Sequence, residues 1–384
     1  MKPIRVLHCI FTTAVGGLEM GVVKLVNSLD PSRFEHGICA FTSTEGNGES
    51  CLDALTNPSC RYFQLTRREG NDLRLVAQLV RVIREFRPTV VHTRNWATYL
   101  EGGLAATLTA TPVLVHGEHG TPSPGLWRHR WAYRLLARRT RVVVTVSEAL
   151  AKLYRETCRS WATEVQTIHN GVDEARFRPA ADPSEIRRAL GLPASATIVG
   201  SVGRLVPVKG FDVLLEAMVL VAQQHPEAVL VLVGDGSERA ALQAQADRLG
   251  IADRVRLVGH RTDVVPWYQV LDAYVNSSHS EGISNGILEA MSCGVPVVAT
   301  HVGGNPEILR RAGLGGTLVP PKDSQALAAA VLEILRDQPS RQLRRAAVRQ
   351  AILSHFSLAT MVARYAALYQ DTAGARPPRA RRLR

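Results

Sequence analysis

The chain has 384 residues, 46% of them hydrophobic, and 46 Lys and Arg against 34 Asp and Glu, for a formal net charge of +12. That length predicts two domains, and that apolar share excludes global disorder. The positive excess favours an anionic partner (a nucleotide, a phospholipid surface or a nucleic acid), and no stretch approaches the roughly 20 apolar residues of a membrane-spanning helix.

The N-terminal MKPIRVLHCIF holds too short an apolar run for a signal peptide and reads as a strand over Ile4–Ile10. Further strands are predicted at His36–Thr42, Thr89–His92, Pro112–Gly117, Val142–Val146 and Val165–Ile168. Helical patterns lie between them, notably Glu19–Leu29, Leu73–Phe86 and Glu148–Cys158. After Pro179 a Pro/Ala-rich bridge, ADPSEIRRALGLPASA, leads to a second series. Its strands are Ile198–Val202, Ala228–Val233, Val255–Val258, Ala273–Asn276, Val295–Thr300 and Gly316–Val319, with helices such as Phe211–Gln224, Ser237–Leu249 and Ser324–Arg336. A last helix is expected at Leu358–Gln370, and the tail ARPPRARRLR reads as disordered and basic. Two βα series joined by a linker imply an α/β chain with two doubly wound sheets facing each other across a cleft. Ligands of such sheets bind beyond the carboxyl ends of the strands, where the motifs of this chain fall. Cys9, Cys39, Cys51, Cys60, Cys158 and Cys293 are scattered with no C-x-x-C pair, which fits reduced thiols in a cytosolic compartment.

Gly16 and Gly17 stand between the first strand and its helix, where paired glycines let backbone approach an anion at a helix N-terminus. A plain strand-to-helix turn explains them equally. They do not form the G-x-G-x-x-G fingerprint, which weakens a nicotinamide reading. HTRNW, His92 to Trp96, and VHGEHG, with His116, Glu118 and His119, also follow strands. The loop glycines of the latter do not specify a zinc cage, and His119 is either a ligand contact or a structural histidine.

In the second series, Arg204 and Lys209 flank a short loop after a strand. Two cations there can straddle a diphosphate, and with the helix end they bring roughly +2 to +2.5 charges. The alternative is a solvated basic loop. No Asp-x-Asp pair occurs, so the usual carboxylate metal clamp is missing. Gly234 and Gly236 either approach a nucleotide or serve tight packing, the second being favoured. The most informative stretch is EGISNGILEAMSCGVPVVAT, Glu281 to Thr300. Its Ser284-Asn285-Gly286 run reads as a helix start, which places Glu281 in the loop and Glu289 in the helix. Free backbone N–H groups between two acids suit a phosphorylated sugar, while a loop, a cap and a surface acid is the plainer account.

Taken in order, these motifs resemble the retaining GT-B glycosyltransferases of family 4 (glycosyl transferases group 1) over nearly the whole chain. The pattern is carried by E-x7-E at Glu281 and Glu289, R-x4-K at Arg204 and Lys209, and GGLE at Gly16 to Glu19. VSEAL at Val146, HNGVDEARFRP at His169 and VGGNPEIL at Val302 support it. The HTRN and HGEHG segments are similar to sugar transferases of exopolysaccharide clusters with exosortase-type systems. The resemblance implies two Rossmann-like domains, 1–178 and 197–356, with a terminal helix, 357–372, returning to the first and a disordered basic tail, 373–384. It implies that Arg204 and Lys209 hold a donor diphosphate, Glu289 the ribose diol and Glu281 the hydroxyls of the transferred sugar. Backbone N–H groups of Ile283, Ser284, Asn285 and Gly286 would touch the sugar or distal phosphate, Gly16 and Gly17 the phosphates, and His119 both. The nucleotide-diphosphate sugar is a substrate, and no further cofactor or metal is expected. Ser284-Asn285-Gly286 departs from the bulkier apolar run of relatives, so no donor sugar is implied.

GLWRHRWAYRLLARRTR, Gly125 to Arg141, would as a helix set Trp127, Trp131 and Leu135 on one arc with Arg130, Arg134 and Arg138. Leu136, Tyr133 and Ala132 would lie opposite, against the domain. Arg beside Trp suits an acidic membrane surface, which predicts a cytoplasmic protein bound peripherally to the inner face of the membrane and a lipid-linked glycan acceptor. The competing classes are an epimerase, a phosphorylase, a non-catalytic scaffold and a nucleic-acid binder. Aromatics at 5% argue against the last.

Overall fold

The computed structural model describes residues 2–42, 49–68, 72–111, 113–120, 136–157, 163–337 and 339–374. Its strands are β1 (Ile4–Ile10), β2 (Phe34–Ala40), β3 (Arg61–Gln64), β4 (Val90–Arg94), β5 (Val113–Glu118), β6 (Thr140–Thr145) and β7 (Glu164–Thr167), then β8 (Thr197–Val202), β9 (Ala228–Val233), β10 (Val255–Gly259), β11 (Ala273–Asn276), β12 (Val297–Thr300) and β13 (Gly316–Val319). They form two sheets, ordered β3-β2-β1-β4-β5-β6-β7 and β10-β9-β8-β11-β12-β13. Among the described residues every pairing between these strands is parallel. Central strands such as AVLVLV of β9 are near-continuous apolar runs because helices cover a parallel sheet on both faces.

The chain divides into two compact units, Met1–Gly171 with Leu358–Arg384, and Val172–Ser357. The division falls before the 178 read from the sequence. Val172 N–H donates to Phe356 O at 2.9 Å, and the carbonyl of buried Phe177 accepts from Arg349 at 2.8 Å, which ties this segment into the second unit. The helix Leu358–Ala373 belongs to the first unit, where Met361, Tyr365, Leu368 and Tyr369 pack with Val6, Val90 and Val115 of its sheet.

Two elements correct the sequence reading. The bridge after Pro179 contains a helix, Pro183–Ala189, because Asp182 caps it by accepting from Ser184 N–H at 2.8 Å and Pro183 is pre-set for a first turn. Strand β3 was not anticipated: RYFQ is an edge strand with little burial and lacks an apolar run. The five described cysteines are free thiols. The Trp/Arg arc lies outside the described residues from 121 to 135, as does the tail from 375; of the remainder, Leu136 is buried and Arg138 and Arg141 are exposed.

Candidate functional site

In the second unit, β8 delivers the chain to a 3-10 turn, Pro207–Lys209, that ends on Gly210 at φ 62°. A Cβ at Gly210 would stand 2.3 Å from the Ser277 carbonyl, so only glycine lets this turn close on the end of β11. The two segments are stitched by Ser277 Oγ to Lys209 O at 2.9 Å and by His279 N–H to Val208 O at 2.8 Å. That places Lys209 Nζ 2.7 Å from Glu281 Oε1. The same oxygen accepts from Ser278 Oγ at 2.7 Å and Asn276 Nδ2 at 3.1 Å. Among the described residues Glu281 Oε2 takes part in no hydrogen bond. The backbone of Glu281 is held from behind by Gly303, at φ 50°, where a Cβ would lie 1.8 Å from the Glu281 carbonyl. Gly304 N–H adds a bond to Gly282 O at 2.9 Å.

Ser284 caps the helix Asn285–Ser292, accepting from Ile287 N–H, so Glu281 sits in the loop and Glu289 on the helix. Glu289 Oε2 accepts from the buried Tyr268 hydroxyl at 2.8 Å. Burial, with the Glu289 charge next, holds the Tyr268 phenol well above its usual pKa, so it stays a donor. Tyr274 lies between the two acids: burial first, then the Glu289 and Glu281 charges, raise its pKa. A Cβ at Gly286 would meet the Tyr274 hydroxyl at 2.2 Å, so this glycine seats the phenol below the helix start. Arg204 is exposed, and its side chain pairs with no carboxylate among the described residues. Because Glu281 sits on Lys209, the local charge is about one unit below the roughly +2 to +2.5 read from the basic pair and the helix end alone. Gly234 and Gly236 serve packing: a Cβ at either would strike the Gly203 or Leu205 carbonyl at 2.0 and 2.3 Å.

In the first unit Gly16 caps the helix Gly17–Ser28 and leaves room for Glu19, whose Oε2 would be 2.4 Å from a Cβ there. The acid of GGLE therefore folds back toward the positive end of its own helix. His116, Glu118 and His119 do not converge. Buried His116 bonds Glu118 Oε1 and Thr93 Oγ1, both at 2.9 Å, and stacks on Tyr99 at 3.7 Å. Half-buried His119 instead meets Arg94 at 3.1 Å, with its backbone N–H on Asn95 Oδ1 at 2.9 Å. Among the described residues no group of three His, Cys, Asp or Glu is arranged to hold a metal ion. Tyr268, Tyr274, Asn276 and Ser278 escaped the sequence reading. The polar run NSSHSEG directly after an apolar strand was a usable signal for the last two; Tyr268, in the short helix Val265–Gln269, gave none.

The family description "Glycosyl transferases group 1" matches residues 182–352, and "Glycosyltransferase Family 4" matches residues 15–176. D-inositol 3-phosphate glycosyltransferase of Thermobispora bispora is 31% identical over 312 residues, 74% of this chain and 71% of its own. The chain belongs to the group 1, family 4 glycosyltransferases. The lipopolysaccharide core mannosyltransferase LpsB of Rhizobium meliloti is 32% identical to this glycosyltransferase over 178 residues, 45% of the chain and 51% of LpsB. Anabaena Alr3699/HepE, solved with UDP, shares the fold at a TM-score of 0.82 and 24% identity, covering 96% of this chain and all of its own. The two-sheet architecture is thus the GT-B fold, and the chain is a glycosyltransferase.

Proposed function

We propose that this glycosyltransferase moves a sugar from a nucleoside-diphosphate donor to a lipid-linked glycan acceptor during exopolysaccharide or cell-surface polysaccharide synthesis, with retention of configuration and without a divalent ion. The observation that carries the donor assignment is the Lys209–Glu281 clamp: three donors saturate Oε1 and leave Oε2 for a ligand hydroxyl. In this reading Glu281 Oε2 binds a hydroxyl of the transferred sugar beside the ammonium of Lys209. Arg204 and Lys209 take the diphosphate and offset the charge that grows on it as the glycosidic bond breaks. Glu289, oriented by Tyr268, accepts from the ribose diol, and the backbone N–H groups of 283–286 face the sugar and its phosphate. In the first unit, Gly16, Gly17 and His119 are the residues proposed to contact a donor. No carboxylate stands out as a covalent nucleophile, so the acceptor hydroxyl attacks on the face the leaving group departs from and passes its proton to the departing phosphate.

The exposed Arg138 and Arg141, the net charge of +12 and the likeness to LpsB support an acceptor at an acidic membrane surface, on the cytoplasmic side. Among the described residues no helix is long and apolar enough to cross a membrane, which leaves peripheral attachment as the proposed mode. A panel of nucleotide sugars read by nucleoside diphosphate release, with and without chelator, tests the reading. It predicts release from one donor class that survives chelator and a product anomer matching the donor. Release that needs a divalent ion overturns the metal-free site, and an inverted product overturns retention. Sedimentation with acidic but not neutral vesicles at low salt is expected; equal binding to both overturns the membrane assignment.

A further inference from the structure

Arg94 closes β4 in the first unit and is 3% exposed. Among the described residues it pairs with no carboxylate. A buried cation without a counter-charge is costly, so its surroundings must solvate it. Imidazole lone pairs do this: NH1 lies 3.1 Å from His119 Nε2, and NH2 lies 3.5 Å from His8 Nδ1. The Tyr365 ring adds a face with its centroid 5.7 Å from the guanidinium carbon. Guanidinium has only donors, so both imidazole nitrogens must be unprotonated acceptors. For His8 this puts the proton on Nε2, which then donates to His36 Nδ1 at 3.1 Å. For His119 it puts the proton on Nδ1. That nitrogen has no hydrogen-bond partner among the described residues. Gly117 makes the arrangement possible: a Cβ there would press on His92 Nε2 at 3.1 Å and His119 Nε2 at 3.2 Å.

We propose that Arg94 is a positioning residue for sugar transfer, holding His119 as the neutral Nδ1–H tautomer so that it offers a polarised donor to an anionic oxygen of the substrate. This rests on His119 contacting the donor, as in the reading above. His119 then serves as a fixed hydrogen-bond donor, and no proton leaves it during the reaction. The charged and titratable groups around the ring agree. Arg94 bonds it, and His92 and His116, the latter bonded to Glu118, lie within electrostatic range of it. Burial first, then Arg94, then His116 keep its pKa well below 6.5.

The test is nitrogen NMR of histidine-labelled enzyme together with rate against pH. For the wild type the inference expects His119 neutral, with Nδ1 protonated and Nε2 bare, throughout pH 5.5 to 7.5 (about one unit either side of free histidine). Arg94→Met should mix the tautomers, bring the His119 titration toward the ordinary range and lower kcat by about tenfold or more. Arg94→Lys, which restores one donor, should recover the Nδ1–H signature and part of the rate. A wild-type His119 protonated on Nε2, or titrating near 6.5, overturns the inference whether or not the Arg94 variants fold. Full activity of His119→Ala would instead overturn the contact with the donor, so the two failures are distinguishable.

Discussion

The Lys209 ammonium and the Glu281 carboxylate, 72 residues apart in sequence, meet at 2.7 Å. The contact joins the R-x4-K turn after β8 to the E-x7-E segment after β11, neighbouring strands of one parallel sheet. Two short motifs that each admit a plain structural account are therefore parts of one arrangement at the carboxyl ends of the strands, where ligands of such sheets bind.

Because the two side chains act as a unit, their losses should not add. Lys209→Ala and Glu281→Ala are each expected to lower kcat/KM by about a hundredfold to a thousandfold. The double variant should cost clearly less than the product of the two, as for residues sharing one interaction. Steady-state kinetics on the three variants decides; strict additivity would separate the acid from the base functionally.

Tyr268 bonds Glu289 through its hydroxyl and packs beside the Tyr274 ring, centroids 5.7 Å apart. Tyr268→Phe removes one hydrogen bond to a carboxylate, worth about 1.5 kcal/mol, and should weaken donor binding roughly tenfold with kcat nearly unchanged. Calorimetric titration of the nucleoside diphosphate reads this. An unchanged Kd would remove Glu289 from the nucleotide contacts.

Gly303 supports Glu281 from behind. Gly303→Ala combines a left-handed φ of 50° with a Cβ 1.8 Å from the Glu281 carbonyl. The variant should lose about 1–3 kcal/mol of stability or more, and activity with it, as Glu281 shifts off Lys209. Urea denaturation beside a kinetic assay checks both, and a neutral substitution would contradict the clamp geometry.

The first unit should weaken in mild acid. Burial depresses the pKa of His8, His92 and His119, and lowers His36 to about 4. Each stays neutral in the fold, whereas in the unfolded chain each takes a proton below about 6.5. Stability is thus full above about pH 6.5 and falls as pH drops toward the folded values, by about 1.4 kcal/mol per unit for each histidine. Hydrogen exchange at β1 and β4 between pH 7.5 and 4.5 should show protection dropping, and His36→Gln should flatten the drop. Flat protection in the wild type would contradict these assignments.

The strands β1, β8, β9 and β11 were legible because each is a largely apolar run bounded by turn residues in the interior of a parallel sheet. β3 was not, since RYFQ is exposed at the sheet edge and bears no period. The helix Pro183–Ala189 hid inside a stretch whose Pro and Ala content suggested a linker, although Asp-Pro-Ser-Glu carries an N-cap signal. At the site, Arg204, Lys209, Glu281 and Glu289 stood out through spacing after strands. Their alignment did not: that Tyr268 orients Glu289 and that Arg94 grips His119 are facts of tertiary packing, with partners 21 and 25 residues away and no periodic trace.

The central claim is that the second unit grips a nucleoside diphosphate through Arg204 and Lys209. Calorimetric titration of UDP, GDP and ADP into the wild type and into Arg204→Ala/Lys209→Ala tests it most directly. The account predicts one-to-one binding of at least one of them to the wild type, weakened by about a hundredfold or more in the double variant. Equal affinity for both proteins, or no binding to the wild type, would contradict it.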